Sequence, residues 1–150
     1  MLFERKYYLD QLLRADGNGM IKVITGIRRC GKSYLLFNLF REKLLARGVS
    51  SDHIIQVNLE DRRNKKFRDP DCLLQYIDSQ MKDSCKYYIM LDEVQLVKEF
   101  EDVLNSYLGI PNAEVYVTGS NAKFLSKDVI TEFRGRGWEI RIHPLSFSEY

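Results

Sequence analysis

Apolar positions along the chain fall into short blocks with two alternating spacings. Residues 4–15 read as a short helix, closed by the turn cluster Asp16-Gly17-Asn18-Gly19. Ile21-Lys22-Val23-Ile24-Thr25 is a β-rich run. Leu35, Leu36, Leu39, Phe40 and Leu44 then recur at helical spacing, predicting a helix over 32–47 with Gly48 as its stop. Residues 54–59 alternate apolar and polar, the signature of a half-exposed strand. A basic, polar loop over 61–68 leads to Asp69-Pro70, an N-cap with proline in the first helical position, and Leu73, Leu74, Ile77 and Met81 mark the buried face of that helix. Residues 87–91 are apolar throughout, as a central parallel strand requires. Leu96, Val97, Phe100, Val103, Leu104 and Leu108 predict one more helix ending at Gly109. Strands follow at 115–118 and around Trp138, Ile140 and Ile142, which alternate with Glu139, Arg141 and His143.

Strands alternating with helices predict an α/β domain with a mostly parallel five-stranded sheet flanked by helices. Strands one, three and four are apolar nearly throughout, whereas two and five alternate. An order of 5-1-4-3-2 would put the alternating pair at the edges, where fewer sides are covered.

Composition narrows the function classes only a little. The chain has 150 residues, 45% hydrophobic and 29% charged, enough for one domain with a real core. A net charge of +2 is too small to argue for nucleic acid. The N-terminus is charged, and neither a secretory signal nor a bilayer-spanning run is visible, so the reading is cytoplasmic, with no membrane partner. Cys30, Cys72 and Cys85 form no C-x-x-C pair, which reads as free thiols and no zinc site. His53 and His143 have no partners at ligand spacing either.

One octet carries most of the chemistry. Gly26-Ile27-Arg28-Arg29-Cys30-Gly31-Lys32-Ser33 fits the phosphate-binding loop G-x-x-x-x-G-K-[ST], and it lies between a strand and a helix as that loop must. Gly26 permits the sharp turn out of the strand, and Gly31 lets backbone N–H groups approach phosphate oxygens. Lys32 would set an ammonium against the β- and γ-phosphates, and Ser33 would offer its hydroxyl to Mg²⁺. Unpaired N–H groups at the start of the following helix, through Tyr34, add positive dipole. Arg28 and Arg29 can add potential over the triphosphate, although spacer positions in such loops vary. Cys30 reads as a small residue that fits.

Asp92 and Glu93 end the apolar strand over 87–91. A carboxylate at the C-terminal end of a parallel strand points into the ligand crevice. Asp92 suits the Mg²⁺-organising position with Ser33, and Glu93 the activation of water. Ser120 and Asn121 follow the fourth strand and could hydrogen-bond the attacking water or the γ-phosphate; a helix N-cap is the plainer alternative. In Arg134-Gly135-Arg136-Gly137 an arginine could stabilise transition-state charge, in its own or a neighbouring subunit, with a solvated turn as the alternative. The basic run Arg62, Arg63, Lys65, Lys66, Arg68 has only Phe67 as an interleaved aromatic, so a solvated loop outweighs nucleic-acid binding.

Taken in order, residues 26–35, 91–95, 118–121, Gly135-Arg136 and 144–150 resemble prokaryotic ATPases of the AAA-plus superfamily. The resemblance implies the additional-strand (ASCE) P-loop fold, with ATP and Mg²⁺ as cofactors. It implies Walker A at Gly26 to Ser33, Walker B at Asp92, a catalytic Glu93, a sensor-like Ser120 or Asn121, and Arg136 as the arginine-finger candidate. In that family a helical lid and a C-terminal domain normally follow the ATPase module. Ser146-Phe147-Ser148-Glu149 has capping-box spacing and starts a helix at the chain's end, so residues 1–150 read as the ATPase core of a longer protein. The expected activity is Mg²⁺-dependent ATP hydrolysis, with a homo-oligomer or a protein as the expected partner. A nucleotide-gated interaction module with little turnover and a small-molecule P-loop kinase are the other readings, and the adjacent Asp92-Glu93 pair favours water over an acceptor hydroxyl.

Overall fold

The structure is a computed structural model that describes the backbone of residues 2–15, 21–25, 34–119 and 137–141 and the side chains of 8–14, 21–25 and 34–119. Its strands are β1 (Ile21–Thr25), β2 (Ile54–Asn58), β3 (Tyr87–Asp92), β4 (Ala113–Gly119) and β5 (Gly137–Arg141). They form one sheet in the order β2-β3-β4-β1-β5, and all four pairings are parallel. Read from the other edge, this is the expected 5-1-4-3-2. The burial pattern that predicted it holds at β2, where the residues alternate between buried and partly exposed, and at β1 and β3, where every residue is buried.

Both faces of the sheet are covered, because successive side chains of a strand point to opposite sides. One face carries Tyr88 and Met90 of β3, Tyr116 of β4 and Ile24 of β1. Tyr8, Leu9 and Leu12 of α1 (Leu2–Ala15) pack there with Leu35, Leu36, Phe40 and Leu44. The other face carries Ile89, Leu91, Val115, Val117 and Val23. Leu73 and Ile77 of α3 (Pro70–Gln80) cover it together with Phe100, Val103 and Leu104 of α4 (Phe100–Asn105).

Local chemistry sets the helix boundaries. Asp69 accepts the Asp71 N–H through its side chain at 3.3 Å, and Pro70 takes the first helical position of α3. After the phosphate-loop sequence the helix opens with a π-helical stretch, Leu35–Phe40, and continues as α2 (Arg41–Ala46). It ends at Gly48, whose φ of +96° suits glycine. There the Val49 N–H bonds the Leu44 carbonyl at 3.0 Å and the Gly48 N–H that of Leu45 at 3.1 Å, so the last turn is closed.

Two expectations are revised. The helix expected over 96–108 is broken into a 3₁₀ turn, Val94–Leu96, and α4. Between them Val97 is extended and Glu99 adopts φ +52°. The Lys98 N–H leaves the helical ladder to donate to the Arg68 carbonyl at 3.0 Å. The apolar stripe still reaches the core, since Val97, Phe100, Val103 and Leu104 are all buried. The loop expected over 61–68 is wound into 3₁₀ turns, Arg62–Arg68, started by Asp61, whose carboxylate accepts the Arg63 N–H at 3.0 Å. Lys22, a cation buried in β1, pairs with Glu114 of β4 and lies 5.2 Å from the Tyr116 ring. Residues 146–149, read as a capping box, lie outside the described residues.

Candidate functional site

Four strands of the parallel sheet end at one edge, and register brings their last residues side by side. Ile24 pairs with Thr118, Thr25 with Gly119, Leu91 with Val117 and Asn58 with Asp92. Asp92 therefore stands beside Thr118, with β1 next across the sheet. The alternation of side chains puts Asp92 and Thr118 on the face of Tyr88, Met90 and Tyr116, which the helix after the phosphate-loop sequence covers. The chain leaves β1 at this edge, at Thr25, and returns to that face at Leu35.

Asp92 is 2% exposed and Glu93 5%, so this edge buries two adjacent carboxylates. Burial demands hydrogen bonds for such groups. Thr118 Oγ1 donates to Asp92 Oδ1 at 2.5 Å and accepts the Glu93 N–H at 2.8 Å. One hydroxyl thus fixes the carboxylate of Asp92 and the backbone of the next residue. Glu93 itself sits in the left-handed region, φ +54° and ψ +53°. Few side chains adopt that conformation, and it costs about 1–2 kcal/mol relative to the right-handed one. Its effect is to end the strand abruptly and re-aim the Glu93 side chain. Gln95 Nε2 then donates to Glu93 Oε1 at 2.7 Å, while Gln95 Oε1 is buried with no hydrogen-bond partner among the described residues.

Of the residues singled out from the sequence, Asp92 and Glu93 are brought together at this edge. Tyr34 opens the helix with half its surface exposed. Gly26 to Ser33, Ser120, Asn121 and Arg136 lie outside the described residues. Sequence reasoning missed Thr118 and Gln95. Both lie in stretches that carry the resemblance, 118–121 and 91–95, but a threonine in a strand and a glutamine after an acidic pair indicate no role by themselves. The adjacency of strands three and four in the expected order could have pointed to Thr118.

A parallel sheet in this order, a phosphate-loop sequence after β1 and an acidic pair at the end of β3 define a class, the nucleotide-binding P-loop ATPase modules. Residues 18–150 match the family model described as an AAA domain, and the chain belongs to that family. It is 37% identical over 150 residues to an uncharacterized protein of Haemophilus influenzae, covering 99% of this chain and 37% of the relative. The chain thus spans little more than a third of that relative's length. Among solved structures it resembles the Drosophila origin recognition complex bound to DNA, with a TM-score of 0.62 at 13% identity over 97% of this chain and 94% of that one. It also resembles AMPPCP-bound DnaA from Aquifex aeolicus, with a TM-score of 0.56 at 16% identity over 90% of this chain and 44% of that one. At such identities these two likenesses establish the fold. No helix among the described residues is long and apolar enough to cross a membrane.

Proposed function

We propose that residues 1–150 form the ATPase core of a larger protein and hydrolyse ATP with Mg²⁺. The observation that carries this reading is the buried Asp92-Glu93 pair. It lies one strand from β1, at the edge where the chain enters the phosphate-loop sequence. The likeness to AMPPCP-bound DnaA supports an adenine nucleotide as ligand. Asp92 and Ser33 supply oxygen donors only, the set a hard cation takes, and would hold Mg²⁺, which neutralises phosphate charge when bound.

In this mechanism Lys32 and the backbone N–H groups of the loop hold the β- and γ-phosphates. Thr118 keeps the Asp92 carboxylate in one orientation. Glu93 accepts a proton from water as it attacks in line, and Ser120 or Asn121 orients that water. Arg136, from this subunit or a neighbour, meets the charge that develops on the transferred group. The test is a titration of the intact protein with ATP and GTP, with and without Mg²⁺, following phosphate release and molecular mass. Heat of binding with neither triphosphate would end the proposal.

One observation favours a second reading, a nucleotide-gated switch with rare turnover. The Gln95 amide occupies Glu93 Oε1, the group that hydrolysis needs free for water. Basal turnover that rises in Gln95→Ala would select the switch; turnover that falls would make Gln95 a positioning residue for Glu93.

A further inference from the structure

The opposite edge of the sheet holds a second group of ligating side chains, independent of the nucleotide reading. His53 ends a single turn, Ser51–His53, that leads into β2. Asp83 and Cys85 lie in the connection between α3 and β3. The ligand atoms of these three residues all lie within 4.8 Å of one another. His53 Nε2 stands 3.5 Å from Asp83 Oδ2. Zinc bonds to nitrogen, oxygen and sulfur of about 2.0–2.3 Å place tetrahedral neighbours roughly 3.3–3.6 Å apart. The His–Asp separation of 3.5 Å already matches, and Cys85, exposed and within 4.8 Å of both, would need to close that distance by side-chain rotation.

Parts of this group are oriented in advance. The Cys85 N–H donates to Asp83 Oδ1 at 2.9 Å, and the other carboxylate oxygen is the one that faces His53. The His53 ring packs edge-on against Tyr87, with centroids 4.8 Å apart. The Tyr87 hydroxyl accepts the Lys82 N–H at 3.1 Å, and Asn112 Nδ2 donates to the Cys85 carbonyl at 3.0 Å. These contacts tie both segments to the start of β3. His53 is half-buried while Asp83 and Cys85 are exposed, so an ion has access and water can complete the coordination.

We propose that His53, Asp83 and Cys85 form a three-ligand site for a zinc-type divalent ion. Imidazole, carboxylate and thiolate together suit a borderline metal and disfavour Mg²⁺, which takes oxygen. A bound ion would cross-link the turn before β2 to the connection before β3, two segments otherwise joined here by exposed polar contacts.

Cobalt(II) tests this as a spectroscopic probe, added to the whole chain under a phosphine reductant without nucleotide. The expected result is one equivalent bound, with a thiolate-to-cobalt charge-transfer band and the visible bands of four-coordinate cobalt. Zinc should displace it and Mg²⁺ should not. Cys85→Ser should remove the charge-transfer band, and His53→Ala and Asp83→Asn should each weaken binding at least about tenfold. Cys72→Ser should leave the spectrum unchanged. Circular dichroism checks the fold of each variant, and the exposed Asp83→Asn serves if Cys85→Ser unfolds. A band that survives in Cys85→Ser, affinity unchanged in His53→Ala and Asp83→Asn, or no band at one equivalent would overturn the site.

Discussion

Among the described contacts, the two ends of this sheet bury acidic side chains with different partners. Near the end where the strands begin, Glu114 of β4 is met by Lys22 of β1, a cation carried inside the neighbouring strand. At the end where the strands finish, Asp92 is met by a neutral donor, the Thr118 hydroxyl, and Glu93 by the amide of Gln95. A buried ion pair satisfied within the sheet closes on itself. The described partners of Asp92 and Glu93 are a hydroxyl and an amide, at the strand end where the chain enters the phosphate-loop sequence. Burial alone therefore does not separate these acids; their described partners and the strand end they occupy do.

The largest effect that would sharpen this contrast is on turnover. Glu93→Gln should keep ATP binding and slow phosphate release by about 10²–10⁴-fold, the usual contribution of a general base. Lys32→Ala should abolish binding outright, measured by calorimetry. Turnover in Glu93→Gln equal to that of the parent would erase the distinction between the two ends of the sheet.

Glu114→Ala comes next and should act on stability alone. It strands Lys22 in the core, a loss of about 3–5 kcal/mol in urea unfolding. Replacing both partners with well-packed apolar residues should restore most of that. Nucleotide affinity, measured below the unfolding transition, should stay put in the double variant.

Thr118→Val is predicted to touch both properties. Removing the hydroxyl takes one hydrogen bond from the buried Asp92 carboxylate and one from the Glu93 N–H, a destabilisation of about 1–3 kcal/mol. Turnover should fall as well, because Asp92 loses its orientation. Loss of stability with kcat intact would make Thr118 purely structural.

The smallest effect separates two glutamates that share one backbone conformation. Glu93 is buried with φ +54°, and Glu99 is exposed with φ +52°. Glu99→Gly should relieve a left-handed position without loss of contacts, raising stability by up to about 1 kcal/mol with turnover unchanged. Glu93→Gly should relieve the same conformation and silence hydrolysis. Equal turnover in the two variants would show that Glu93 serves only as a turn.

Elements built from neighbours in the chain were legible early. The Asp69-Pro70 cap, the Gly48 stop and the alternation of β2 each follow from a few consecutive residues, and each is present as expected. The acidic pair was legible for the same reason, since an apolar strand ending in Asp92-Glu93 is a local pattern. The break inside 96–108 was not. There the Lys98 N–H bonds the Arg68 carbonyl, a contact with a distant segment that the helical stripe has no means of announcing. The pairing of Lys22 with Glu114 spans 92 residues, and that of Thr118 with Asp92 spans 26. His53 meets Asp83 across 30 residues, so a search for ligand spacing passed over the group that the fold assembles.

By itself the sequence determined the periods, the caps and the phosphate-loop spelling, because steric and hydrogen-bonding preferences within a turn or a strand act over a few residues. From the periods it also pointed to the two edge strands, because a strand covered on both faces must be apolar on both. Only the tertiary structure decided which polar atoms meet across strands. Those contacts depend on register and on packing between distant segments, and a shift of one residue would turn Thr118 away from Asp92.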